Sequence, residues 1–226
     1  MRPEPGRGVS LSLALKALTL LLGLVGQALP FARSGFRSGA QLLYYTNITN
    51  VLIILLMAAL LYYALRARKA GGQALQPDWL NLARFALTAG ILLTFVGFSL
   101  LLLPRMGPAY LISAENLLVH YLVPLLAGLD YTLYTRPKAG RPPHAWQGLL
   151  VPFLYAVYVT ALSFLGLRFH QGATAPYFFL DAAQNGWLGA GQGRLGVFWW
   201  LLIIAALQLA LSRLLIGLNK SLRQAG

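Results

Sequence analysis

Thr46 and His120 are the residues in this chain best suited to covalent chemistry. A threonine hydroxyl becomes a nucleophile when a base takes its proton, and a neutral imidazole within about 3 Å does so. His120 is the one histidine of three that falls inside a long apolar stretch, which makes it the natural partner for Thr46. Asn50 follows Thr46 by one helical turn and shares its face, and Asn116 precedes His120 by the same interval. Either amide would donate to the oxyanion that forms when a carbonyl is attacked. Glu115 and Asp181 are the acids placed to orient the imidazole. A plainer assignment stands beside this one: Thr and Asn near helix ends also cap, bond to the preceding turn or join neighbouring helices.

The element that must position His120 runs from Ile112 to Tyr134, long and apolar enough to cross a bilayer yet carrying Glu115, Asn116, His120 and Asp130. Ionisable groups at membrane depth are costly and by default face the protein interior or a water-filled cavity. Asn116, His120 and Pro124 recur every four residues and so share one helical face. The rest of the composition agrees with a membrane setting. Apolar residues make up 58% of the 226, only 10% are charged, and mean hydropathy is +0.65, outside the range of soluble domains. The formal charge of +13 does not point to nucleic acid, because the basic residues flank apolar segments instead of forming a stripe. With no cysteine, disulfides, thiolate metal sites and cysteine nucleophiles are excluded.

The fold expected is all-α: a polytopic bundle of six transmembrane helices in a single domain, with spans at about 11–30, 41–65, 84–103, 112–134, 149–167 and 197–217, each near the 20 residues that a hydrocarbon core requires. The first run is read as a retained span, since it is long for a signal peptide and Lys16 interrupts it. Of the 18 Lys and Arg residues, 12 fall at the N-terminus, in the loops 66–84 and 136–141, and after Arg213. The positive-inside bias therefore puts both termini in the cytoplasm of a plasma-membrane protein. In that orientation Thr46, Asn50, Glu115, Asn116, His120, His170 and Asp181 gather in the outer half of the membrane, with His120 about 12 Å deeper than Ile112 at 1.5 Å per residue. The longest loop, 168–196, contains APYFFLD, too apolar to float in water, and is expected to fold back over the bundle as a lid or re-entrant turn.

Other signals are weaker. Gly191, Gly193 and Gly196 satisfy G-x-G-x-x-G, but no strand precedes them, as a dinucleotide site requires. His120, His170, Glu115 and Asp181 are zinc-type ligands without H-E-x-x-H spacing, so no metal or other cofactor is expected. Asp130 lies too far along its helix from His120 to share a site, and is expected to pair with Arg136 or a tyrosine.

YTNITN in the second span, NLLVHYLVP in the fourth and APYFFLD in the last long loop resemble three signature regions of bacterial six-helix predicted integral membrane proteins, distant relatives of the androgen-induced (FAR-17a) membrane lipid-ester hydrolases of animals. The resemblance covers most of the chain in topology through short motifs. It implies that Thr46 and His120 are a catalytic pair, that Asn116 is the asparagine four residues before the histidine, and that Asp181 is the acid after the aromatic loop motif. It also implies a substrate class, fatty acid esters of hydroxy fatty acids. The expected activity is hydrolysis of a lipid ester, the partner being a membrane lipid or acyl chain. The alternative is a transporter or lipid-binding protein that uses the same polar cavity without catalysis.

Overall fold

The computed structural model describes residues 5–33, 39–70, 77–107, 110, 112–137, 142–169, 172–191 and 194–225. Six helices among them are long and apolar enough to cross a bilayer: α1 (Pro5–Arg33), α2 (Tyr45–Lys69), α3 (Asp78–Met106), α4 (Ala114–Tyr134), α5 (Ala145–Phe164) and α6 (Val197–Ala225). The chain is a multi-pass membrane protein built as an all-α bundle. Leu55, Leu100, Phe153 and Phe164 face outward and are more than half exposed, a belt of a kind that soluble monomers avoid and lipid covers.

α2, α3 and α4 place apolar sides inward. Ile53, Leu56, Met57 and Leu60 of α2 meet Leu80 and Ile91 of α3 and Val123 and Ala127 of α4. Tight contacts use glycine: a Cβ on Gly26 of α1 would come within 2.9 Å of Val119, and one on Gly148 of α5 within 2.0 Å of the Ser212 hydroxyl on α6. Such small residues let helices approach closely.

Several span boundaries differ from expectation. The second span was expected from residue 41, but Gly39–Leu43 forms a 3-10 turn and Tyr44 is extended, so α2 begins at Tyr45 and Thr46 lies in its first turn. The third span begins at Asp78, not Arg84, and passes Pro104 instead of stopping before it. The reason is a π-helical turn, Phe98–Leu102, in which the Leu103 N–H reaches back to the Phe98 carbonyl. That extra residue relieves the clash a proline makes with the carbonyl four residues earlier. α4 repeats the device: Leu118–Leu122 is π-helical, the Val123 N–H bonds to the Leu118 carbonyl, and Pro124 follows. The Val119 carbonyl, which a regular helix would pair with Val123, accepts instead from the Asn50 amide at 3.0 Å.

Near the end carrying the chain termini, Asp130 is fully buried between two cations: Lys16 of α1 at 2.5 Å and Arg84 of α3 at 2.7 Å. This corrects the pairing expected for Asp130, since Arg136 is exposed. It also removes Arg84 from the loop charges, because its side chain lies inside the bundle. Charges at membrane depth need partners, and three helices meet to provide them here. Asn219 of α6 closes the same end by donating to the carbonyls of Tyr131, Thr132 and Thr135, the last acceptors of α4.

Candidate functional site

Thr46 is positioned by the way the chain enters α2. The Tyr155 hydroxyl holds the Leu43 carbonyl at 2.8 Å and the Tyr45 hydroxyl bonds to the Gly90 carbonyl at 3.0 Å, which fixes both sides of the turn. Behind it, Thr49 bonds back to the Tyr45 carbonyl and across to Thr94. The Thr46 side chain, buried at 8% exposure, is left on the wall of a cavity of about 500 Å³. His120 reaches the same cavity from α4, whose π-turn carries it. Its ring stacks on Phe98 of the matching π-turn in α3, centroids 3.7 Å apart and 16° from parallel. Tyr121 bonds to Ser99 at 3.2 Å and ties the two irregular turns together. π-turns recur at functional sites, and two of them face each other here.

Thr46 and His120 thus line one chamber, and among the described residues no hydrogen bond joins them directly. His120 Nδ1 is enclosed and, among the described residues, has no hydrogen-bond partner, so no described carboxylate orients the ring through that nitrogen. Nε2 is then the nitrogen left to serve the cavity. Asp181, expected as a possible orienting acid, is engaged elsewhere. Its carboxylate accepts from the Thr174 hydroxyl at 2.6 Å and from the Ala183 N–H at 3.1 Å, capping a single helical turn and latching the loop. Glu115 does line the chamber.

The two asparagines also separate. Asn50 has given both amide hydrogens to backbone carbonyls, of Thr46 at 2.8 Å and Val119 at 3.0 Å, and is fully buried. It is therefore not free to bond an oxyanion; it braces α2 against the π-turn of α4. Asn116 lines the chamber, and among the described residues its amide donates to the Tyr110 carbonyl at 2.6 Å. His170 and Gly193 lie outside the described residues, and among the described residues no three His, Asp or Glu side chains gather as metal ligands.

The loop expected as a lid packs into the bundle. Phe169, Ala175 and Tyr177 join Tyr45, Tyr155 and Val159 in one apolar cluster, while Tyr177 and Phe179 stack 5.2 Å apart, 2° from parallel. Asn185 ties the Phe178 carbonyl. Phe178 in turn carries the Arg105 guanidinium 3.2 Å above its ring, a cation–π contact at the chamber. Tyr177 and Thr46 both line the chamber, and burial pushes the Tyr177 phenol up to about 12. Burial, and then the Glu115 charge, also raise Tyr110. Sequence reasoning had no role for Tyr177 or Phe98. Pro104 and Pro124, each a few residues after the ring it displaces, were the signal for the π-turns.

A second, narrow cleft of about 80 Å³ abuts the chamber, lined by apolar residues including Leu93, Leu101, Pro152 and Leu201. Thr46, Phe98, Leu102 and Tyr177 belong to both and form the wall between them. The fold and site define a multi-pass membrane protein with a polar chamber joined to an apolar cleft near one end of its bundle. Comparison with protein-family models, curated proteins and solved structures finds no match to this chain.

Proposed function

We propose that the protein is a membrane hydrolase that cleaves a lipid ester, with Thr46 as nucleophile and His120 as base. One observation carries this: Thr46 stands on the wall shared by a chamber containing His120 and an apolar cleft of the kind an acyl chain fills. An ester lodged at that wall has its chain in the cleft and its carbonyl beside the hydroxyl. His120 Nε2 takes the Thr46 Oγ1 proton as the oxygen attacks the carbonyl carbon, and the C=O electron pair moves onto the carbonyl oxygen. Collapse expels the alcohol, which receives the proton from the imidazolium, and leaves an acyl-threonine. Water, deprotonated by the same imidazole, then releases the acid and restores Thr46. The resemblance to lipid-ester hydrolases adds fatty acid esters of hydroxy fatty acids as the first substrates to try.

The density of Lys and Arg at the loops beside the termini supports a plasma-membrane orientation with both termini cytoplasmic, the chamber opening toward the outer leaflet. Assays of purified protein with acyl esters, alongside labelling by an active-site fluorophosphonate, test the mechanism: Thr46→Ala and His120→Ala each abolish both signals. Retained hydrolysis in either variant removes it.

A second reading, lipid binding or transport without catalysis, is favoured by the facing π-turns before Pro104 and Pro124. They interrupt two helices at the chamber, as broken helices do in carriers. Ligand flux without product formation would decide for it.

A further inference from the structure

We infer that Arg105, in the last turn of α3, anchors the head of an anionic amphiphile, a single acyl chain bearing a carboxylate or phosphate, whose tail lies in the apolar cleft. This goes beyond the hydrolase reading and does not depend on it, since head and tail are held alike whether or not an ester is cleaved. The state of the guanidinium is the first argument. Phe178 covers one of its faces at 3.2 Å from the ring centre, which leaves the N–H groups in the plane, at the edges of the stack. Among the described residues those groups find no hydrogen-bond acceptor and no carboxylate. An arginine in the last turn of a helix ordinarily serves that helix by bonding its terminal carbonyls. Arg105 instead lies over Phe178 on the wall of the chamber. A planar fork with open donors is the group that takes a carboxylate or phosphate by two oxygens at once.

The platform under the guanidinium is itself fixed. The Asn185 amide holds the Phe178 carbonyl at 2.5 Å, and the Phe178 ring meets Trp200 of α6 and Phe179 edge-on, at 5.7 and 5.2 Å between centres. The fork is therefore set before a ligand arrives, which lowers the entropy lost on binding. Its place in the chamber supplies the tail. Leu102, on the wall shared with the cleft, precedes Arg105 by three residues, about 4.5 Å along the helix. Tyr177, on the same wall, directly precedes Phe178. Arg105 and its platform thus flank the crossing from polar chamber to apolar cleft, where a head and a tail part company. Charge favours the same side: Arg105 is the one Lys or Arg among the described residues lining the chamber. The acid there, Glu115, acts on Tyr110 and keeps an anion away from its own part of the wall.

Hexadecanoate carrying a photoreactive diazirine at its chain end tests this on the purified full-length protein in detergent. At mildly alkaline pH it is expected to label residues of the cleft, read by peptide mass spectrometry, and to bind about 10–100-fold more tightly than its methyl ester, the range of a charge-assisted hydrogen bond. Arg105→Met, which keeps the stem and loses the fork, is expected to bring the acid down to the affinity of the ester and to leave the ester within about threefold of its wild-type value. Unlabelled competitors identify the head: displacement by hexadecyl phosphate as well as hexadecanoate admits both groups, and displacement by hexadecanoate alone restricts the site to carboxylates. Inorganic phosphate displacing the probe at the same concentrations would show a site for free anions and overturn the inference. Equal affinity of wild type for acid and methyl ester, or labelling away from the cleft, overturns it without any variant. So does Arg105→Met binding the acid as wild type does. Thr46→Ala, expected to bind like wild type, separates the levels: a protein that binds the acid this way but cleaves no ester loses the hydrolase and keeps the anchor. One that cleaves esters through Thr46 with no preference for an anionic head loses only the anchor.

Discussion

Replacing Asp130 by asparagine should damage the protein far more than replacing Lys16 by methionine, although the two residues form one contact. Lys16 and Arg84 bond different oxygens of the same carboxylate, so their charges stand roughly 6 Å apart and repel by about 3 kcal/mol at an effective dielectric of about 20. The carboxylate offsets that repulsion. Asp130→Asn removes both attractions and leaves two buried cations, at 4% and 6% exposure, with no counter-charge. Breaking a buried pair in this way costs about 3–5 kcal/mol. Lys16→Met loses one attraction of about 4 kcal/mol at roughly 4 Å, but it also relieves the Lys–Arg repulsion and leaves Arg84 paired one to one with Asp130, so the net change should stay within about 1 kcal/mol. At roughly 2–4 °C per kcal/mol for a chain of this size, thermal unfolding in detergent micelles should show Asp130→Asn lowered by about 6–20 °C and Lys16→Met by less than about 4 °C. Equal shifts for the two variants, or wild-type stability of Asp130→Asn, would refute the view that one carboxylate holds two mutually repelling cations.

Asn50→Leu should lower stability by about 1–3 kcal/mol, since it strands the Val119 carbonyl; a fall in kcat with unchanged unfolding temperature would show that the amide acts in chemistry after all. Asp181→Ala removes the latch to Thr174 and the Ala183 cap, so it should speed limited proteolysis of the loop and cost about 1 kcal/mol, read by cleavage rate and unfolding temperature. The alkaline limit has a definite sign. Tyr177 holds its proton up to about 12 when folded and to about 10 when unfolded, so its contribution is complete below pH 10 and is lost as pH rises from about 10 to about 12. Unfolding temperature measured across that window should fall less steeply for Tyr177→Phe than for wild type.

The helices were legible because their signal is strong and local: about 20 apolar residues, bounded by charge, can do little else. The residues on the chamber were partly legible for the same reason, since Thr46, Asn116, Glu115 and His120 are polar where polarity is costly. What escaped was long-range pairing. Nothing near Asp130 in the chain names Lys16, which lies 114 residues away, or Arg84, which reads as a loop charge by its position before an apolar run. Asn50 looked chemical because sequence shows its amide but not the Val119 carbonyl that the π-turn leaves open. Asp181 looked catalytic for a similar reason, although it serves the loop that carries Tyr177. Tyr177 itself was hidden among other aromatic residues of an apolar loop, where ring count gives no hint of which one lines the chamber.

The most direct measurement is peptide-level mass spectrometry of the wild-type protein after reaction with a slowly turned-over acyl ester or a fluorophosphonate. Covalent mass on the Thr46 side chain, absent when His120 is replaced by alanine, is the result expected. An adduct on another residue, or one on Thr46 that forms equally fast without His120, would contradict the pairing of this hydroxyl with this imidazole.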